Sequence, residues 1–315
     1  MIDVDNKKDD NDDKLDGSDD QKRNINTSKN KYDNSINESK INADKVENKV
    51  VSKANFGFYS TFTLAILGGS FISFAAIFFT FITNQITFNH SFTQLLGGMA
   101  FSIGPILVVV AGAELFTGNN LLVISFINKK ITLFQLLKNW ITVYLGNFVG
   151  TLIIALLFYT TDTWRSNNYQ LGLHAIYIAV NKVNLSYSES FSLGVLCNAL
   201  ICLGIWMTAS GKSTIDKVIS MFIPVTAYAA IGFEHSIANM YFIIFALLLV
   251  TLNYNDIYLH MSTIIKKPVE GIRSNLSSLN IIAFLHNLIP VTLGNIMGGS
   301  IFIGVIYWSI YMRKK

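Results

Sequence analysis

After a polar opening of about fifty residues, the chain alternates long apolar runs with short polar links. Crossing about 30 Å of hydrocarbon takes about 20 largely apolar helical residues. Runs of that kind lie at 56–83, 92–127, 140–159, 191–209, 218–252 and 289–311. The second and fifth are too long for one uninterrupted crossing, and each contains small and polar residues near its middle. Two further stretches, 130–139 and 275–288, read as short amphipathic or interfacial helices. The pattern predicts an all-α membrane protein with six transmembrane helices, of which the second and fifth are broken.

The opening segment differs in kind. Residues 1–53 hold thirteen of the twenty acidic and eleven of the twenty-four basic residues, with runs such as Lys7 to Asp13 (KKDDNDD). They show no periodic apolar face, so burial has little to set against the entropy of ordering them. The expectation is a disordered tail over 1–53 and a membrane domain over 54–315. No short apolar run follows the charged start, so the tail does not read as a signal peptide. The membrane part keeps only seven acidic and thirteen basic residues, and the whole chain is 13% aromatic. Such a composition does not cover itself with a polar surface in water, and a bilayer is its better solvent.

Loop charges set the expected orientation. With the amino terminus cytoplasmic, inner connections carry Lys129, Lys130, Lys138, Lys212, Lys217, Arg313, Lys314 and Lys315, against Arg165, Lys182, Lys266, Lys267 and Arg273 outside. Both termini are therefore expected in the cytoplasm, with the protein in the plasma or cell membrane. Cys197 and Cys202 lie in one apolar run at a spacing that suits neither a metal nor a disulfide. No cofactor or metal site is expected. No nucleotide loop or basic-aromatic surface points to an enzyme or to nucleic acid.

Two segments echo each other. Gly112-Ala-Glu114-Leu-Phe-Thr-Gly-Asn119 and Gly232-Phe-Glu234-His-Ser-Ile-Ala-Asn239 share G-x-E-x-x-x-x-N, each in the middle of a long interrupted run. Leu145-Gly-Asn147-x-x-Gly150 and Leu293-Gly-Asn295-x-x-Gly298 repeat at the start of the following crossing. Three crossings per half is an odd number, so the halves insert in opposite directions as an inverted repeat. Irregular backbone at membrane depth is tolerated where it is buried in protein or lines a cavity. The broken helices are therefore expected to meet around one central path.

The strings GAELFTGN (112–119), KNWITVYLGNFVG (138–150), ICLGIWMTASGKSTIDK (201–217), GFEHSIANM (232–240) and NLIPVTLGNIMGG (287–299) resemble the formate/nitrite transporter family. The resemblance runs from about residue 54 to 313, in family order. It implies an aquaporin-like protomer, assembly as a homopentamer, and one path per protomer for small monovalent anions of weak acids and protons. Formate and nitrite head that class, with lactate, acetate and hydrosulfide related to them. It implies His235 as the central pore histidine, with Thr117 and Asn295 beside it, and a charge and hydrogen-bond network of Lys182, Asn198, Glu234 and Asn239. Phe101, Leu115 and Phe116 match constrictions. Pro105 and Tyr228 stand at constriction positions where the bacterial formate channels have large apolar side chains.

The chemistry such a path needs follows from electrostatics. An anion at the bilayer centre is costly unless a buried cation holds it or a proton neutralises it. Histidine can serve either route near neutral pH. The reading is that His235 exchanges a proton or hydrogen bond with the bound acid, while Lys182 attracts the anion near the outer mouth. Glu114 and Glu234 are expected to face protein, accepting bonds from freed amides or from Lys182. The competing readings are a hydrosulfide channel and a passive pore for neutral small solutes.

Overall fold

The computed structural model describes residues 38–84, 89–265 and 276–313. Residues 1–37 of the tail expected over 1–53, the loop cations Lys266, Lys267 and Arg273, and the terminal Lys314 and Lys315 lie outside the described residues. Among the described residues, six helices are long and apolar enough to cross a membrane: α2 (Phe58–Thr83), α3 (His90–Ala111), α5 (Leu133–Thr160), α7 (Tyr187–Thr208), α8 (Thr214–Ile231) and α11 (Ile281–Tyr311). Two shorter apolar helices, α4 (Phe116–Ile127) and α9 (Ser236–Leu252), complete the second and fifth crossings. No strand is found among the described residues. Between the halves lies α6 (Gln170–Val183), and α10 (Tyr254–Ile265) follows α9.

The two interruptions are built alike. Gly112 ends α3 at φ 79° and Gly232 ends α8 at φ 86°. Both are left-handed conformations that glycine adopts without steric cost, and such residues commonly terminate helices. Each is followed by three residues outside any helix, 113–115 and 233–235, before the second half-helix begins.

Boundaries elsewhere differ from the sequence expectation. The stretches expected as separate interfacial helices at 130–139 and within 275–288 are continuous with their crossings from Leu133 and Ile281. Local capping explains the early starts. Thr132 and Gln135 form a capping box at α5, and the Asn280 side chain accepts from the Ala283 amide at α11. Residues 38–54 are also helical, as α1, rather than part of a disordered tail. Ala43, Val46, Glu47 and Val50 are buried there, a helical stripe that the surrounding Asn and Lys residues disguise. Glu47 holds the Lys130 ammonium and the Asn128 amide, both at 2.7 Å, while Asn42 reaches Ser210.

Each half contains one intimate helix pair, α2 with α5 and α7 with α11. A Cβ placed on Gly150 would collide with the Ile66 carbonyl oxygen, and one on Gly298 with that of Val195. The second echo in the sequence is thus a pair of close backbone approaches. Outward faces carry exposed Phe74, Phe78, Phe134, Ile141, Ile219, Ile223 and Ile282, as expected for surfaces that meet lipid or neighbouring subunits.

Overpacking a close backbone contact costs about 1–3 kcal/mol. Gly150→Ala and Gly298→Ala should each lower the unfolding temperature in detergent, whereas Gly57→Ala, with nothing near its added methyl, should leave it unchanged.

Candidate functional site

At each interruption the freed backbone groups are taken up by one asparagine. Asn147 accepts from the Phe116 amide at 3.0 Å and donates to the carbonyls of Glu114 at 2.9 Å and Ala65 at 2.7 Å. Asn295 does the same in the other half, accepting from Ser236 at 2.9 Å and donating to Glu234 at 3.0 Å and Gly194 at 2.8 Å. Both side chains are fully buried. Asn295 had been expected beside His235 as a pore contact. In the structure its oxygen and its amide nitrogen are bonded to backbone groups, so it fastens the loop.

The loops pinned in this way bring the two half-helix starts together. The Oγ1 of Thr117, in the first turn of α4, lies 3.1 Å from Nε2 of His235, which caps α9. His235 Nδ1 accepts from the Ala238 amide at 3.0 Å. A nitrogen used as acceptor carries no proton, so the ring's hydrogen sits on Nε2 and points at Thr117. Both helix N-termini, with their partial positive charge, start at this point.

Two cavities flank the pair. One, of about 310 Å³, is lined by Phe101, Lys182, Tyr228, Glu234, His235 and Asn239, among others. The other, of about 490 Å³, is lined by Lys49, Lys53, Pro105, Glu114, Leu115 and Lys217, among others. Of the expected constriction residues, Phe101 and Tyr228 thus face the α6-side cavity, and Pro105 and Leu115 the α1-side cavity. Phe116 faces neither and packs against Trp140 and Tyr144. Leu115 is extended (φ −125°, ψ 127°), and extended backbone turns neighbouring side chains to opposite sides.

Charge is arranged twice over. Lys182 Nζ lies 2.8 Å from Glu234, whose other oxygen accepts from Asn239. Asn239 also donates to Asn287 at 2.7 Å, and Asn287 returns a bond to the Lys182 carbonyl at 2.8 Å. In the other half Lys53 Nζ lies 3.1 Å from Glu114, which accepts from Asn119 at 2.6 Å. Asn119 donates to Asn139 at 2.9 Å, and Asn139 to the Lys53 carbonyl at 3.5 Å. Both carboxylates are 3% exposed at the cavity walls and bonded to protein groups, while Lys53 and Lys182 retain 18% and 15% exposure. Asn198 stands outside the Lys182 group, to which it had been assigned. Its amide donates to Asn120 and to the carbonyls of Thr117 and Asn295, tying α7 to α4 and α11.

Lys53, Asn139 and Asn287 are not among the site residues expected from the sequence, although both asparagines lie in the strings quoted there. A signal existed, since Asn139 precedes Asn147 by the same interval as Asn287 precedes Asn295. Lys53 is the last residue of the expected tail, outside the expected membrane domain. His174 is a further vestibule residue, half-buried on α6, with Nε2 2.8 Å from Thr83 Oγ1. Burial pulls its pKa from 6.5 down to about 4, so the ring is neutral at pH 7. No cluster of three or more potential metal ligands occurs among the described residues.

Comparison with known proteins places this geometry. The family described as "Formate/nitrite transporter" matches residues 40–309. The chain is 40% identical over 275 residues to the formate channel FocA of Escherichia coli K12, covering 87% of this chain and 94% of that protein. It is 37% identical over 273 residues to FocA of Haemophilus influenzae, covering 86% and 93%. A solved structure described as a pentameric formate channel with formate bound superposes with a TM-score of 0.72 at 36% identity, over 81% of this chain and 98% of that one. An FNT family ion channel gives 0.68 at 25%, over 88% and 98%. These relatives are channels, not enzymes.

Removing one partner of a buried ion pair leaves an uncompensated charge and costs about 3 kcal/mol or more, whereas neutralising both costs less. Lys182→Met alone should lower the unfolding temperature in detergent further than Lys182→Met combined with Glu234→Gln. For His174, the unfolded chain binds more protons than the folded one between about pH 6.5 and pH 4, so stability rises with pH across that window and is lost as pH falls through it. His174→Gln should flatten that part of a stability-against-pH curve.

Proposed function

The chain belongs to the formate/nitrite transporter family, and from that membership we propose that it conducts formate and related small weak acids across a membrane, with protons, through a path centred on Thr117 and His235. The observation that carries the reading is the meeting of two half-helix N-termini at a polar pair, between cavities that each hold a lysine.

The steps follow from the placement of charge. Lys182 at one cavity and Lys53 at the other attract a monovalent anion out of water. Beyond them the walls are apolar, Phe101 and Tyr228 on one side and Pro105 and Leu115 on the other. Desolvation there favours the neutral acid over the anion, so a proton taken up at the vestibule lets the solute pass. At the centre the Nε2 hydrogen of His235, now donated to Thr117, is available to a solute oxygen instead. A pore for neutral solutes has no use for paired lysines or for converging positive helix ends. Hydrosulfide fits the charge pattern as well as formate does, and the flux panel below separates the two.

The pentameric neighbour and the exposed apolar flanks support a homopentamer in the bilayer. Lys49, Lys53, Lys130 and Lys217 lie toward the α1 side, which supports a cytoplasmic position for that face and for both termini.

Proteoliposome uptake of formate, nitrite, acetate, lactate and hydrosulfide at pH 5.5 and pH 7.5 tests the reading. Formate uptake should accelerate at the lower pH. His235→Ala, which removes a hydrogen bond to a charged or polar solute, should slow it about tenfold or more. Equal uptake by the wild type and this variant at both pH values would overturn the role of the histidine, and pH-independent flux of glycerol alone would overturn the class of solute.

A further inference from the structure

Tyr228 is 1% exposed, yet it lines the α6-side cavity. Its ring stacks on the His235 imidazole, with centroids 6.3 Å apart and planes 14° from parallel. The Phe101 ring meets it in an edge-on arrangement at 6.0 Å. The aromatic part thus forms one wall of the narrow stretch leading to the central pair. Its hydroxyl is buried and has no hydrogen-bond partner among the described residues. Buried polar groups without partners are rare and unfavourable. A phenylalanine would supply the same wall without that penalty.

The unsatisfied donor needs an acceptor, and the body that enters this stretch is the solute. Carboxylates, carboxylic acids and nitrite present oxygen lone pairs that a phenol satisfies well, whereas sulfur is a weak acceptor. We propose that the Tyr228 hydroxyl donates to the passing solute and selects oxygen acids over hydrosulfide. The hydroxyl then adds a contact ahead of His235 and converts an otherwise apolar constriction into a discriminating one. Sites that pair a buried donor with a solute acceptor reject an analogue lacking the acceptor, because the donor is left unpaired. This assignment rests on the transport reading above.

The test measures formate and hydrosulfide influx side by side in proteoliposomes at one pH, for the wild type and for Tyr228→Phe. Assembly of each protein is checked by its elution in detergent. One hydrogen bond of ordinary strength corresponds to about a fivefold change in rate or affinity, so the formate-to-hydrosulfide ratio should fall about fivefold in the variant. A ratio unchanged, or both fluxes falling together, overturns the assignment while formate flux in the wild type leaves the transport reading standing. Loss of assembly in the variant also overturns it, since the hydroxyl would then serve the fold. Absence of both fluxes in the wild type overturns the transport reading and this one with it.

Discussion

A bilayer interior offers no water to a broken helix, so every backbone group released by an interruption must find a partner in the protein. Asn147 and Asn295 meet that demand, and the rest of the structure is arranged around them. Each lies one turn from a glycine that lets its helix press against a neighbour, and each reaches that neighbour's carbonyl as well as the loop. A larger residue at Gly150 or Gly298 would push the helices apart and carry the asparagine away from the loop it satisfies. The close packing and the polar contacts are therefore one device. It fixes α4 and α9 in place and holds their positive ends against each other.

The scaffold is two-fold symmetric, but its chemistry is not. Loop, asparagine, lysine, glutamate and glycine recur in both halves at matching positions. The motif differs at Ala113 against Phe233 and over four consecutive places, where Leu115, Phe116, Thr117 and Gly118 stand against His235, Ser236, Ile237 and Ala238. Under the proposed function, the path's polar centre takes Thr117 from one half and His235 from the other. A strictly symmetric version would put either two histidines or none at the middle. Two imidazoles there would supply excess polar groups for a single small acid, and none would leave it without a donor. One donor ring backed by one hydroxyl suits a solute of a few heavy atoms.

Much of this was legible in the sequence because membrane crossings are read from long apolar runs and breaks from the polar glycine motifs inside them. The six crossings and the inverted repeat rest on that kind of signal, whereas the pairing of Thr117 with His235 came from the family resemblance. What escaped depends on direction rather than position. Nothing in the string says that Leu115 faces a cavity while Phe116 turns to Trp140, because that follows from one extended residue. The family resemblance implied Asn295 as a pore contact, but its oxygen and its amide nitrogen are engaged by backbone. The α1 helix escaped because three apolar side chains and one buried glutamate sit among charged residues, and partner groups on Asn128 and Lys130, far along the chain, make that glutamate affordable. Lys53 lies at the end of the same helix, and only the fold brings it to Glu114.

The capping role of His235 constrains how any proton moves. Its Nδ1 accepts the Ala238 amide and helps begin α9. Protonating that nitrogen would remove an acceptor from a helix start buried in the protein and place a positive charge beside two like partial charges. Under the proposed function the imidazole therefore works best as a fixed Nε2–H donor, and the proton accompanying the acid is taken up in the vestibules, where Lys182 and Lys53 gather the anion and water can still reach it. The flanking apolar walls are then as much a part of the chemistry as the histidine. They raise the cost of the bare anion, so that the neutral acid is the form that reaches the ring.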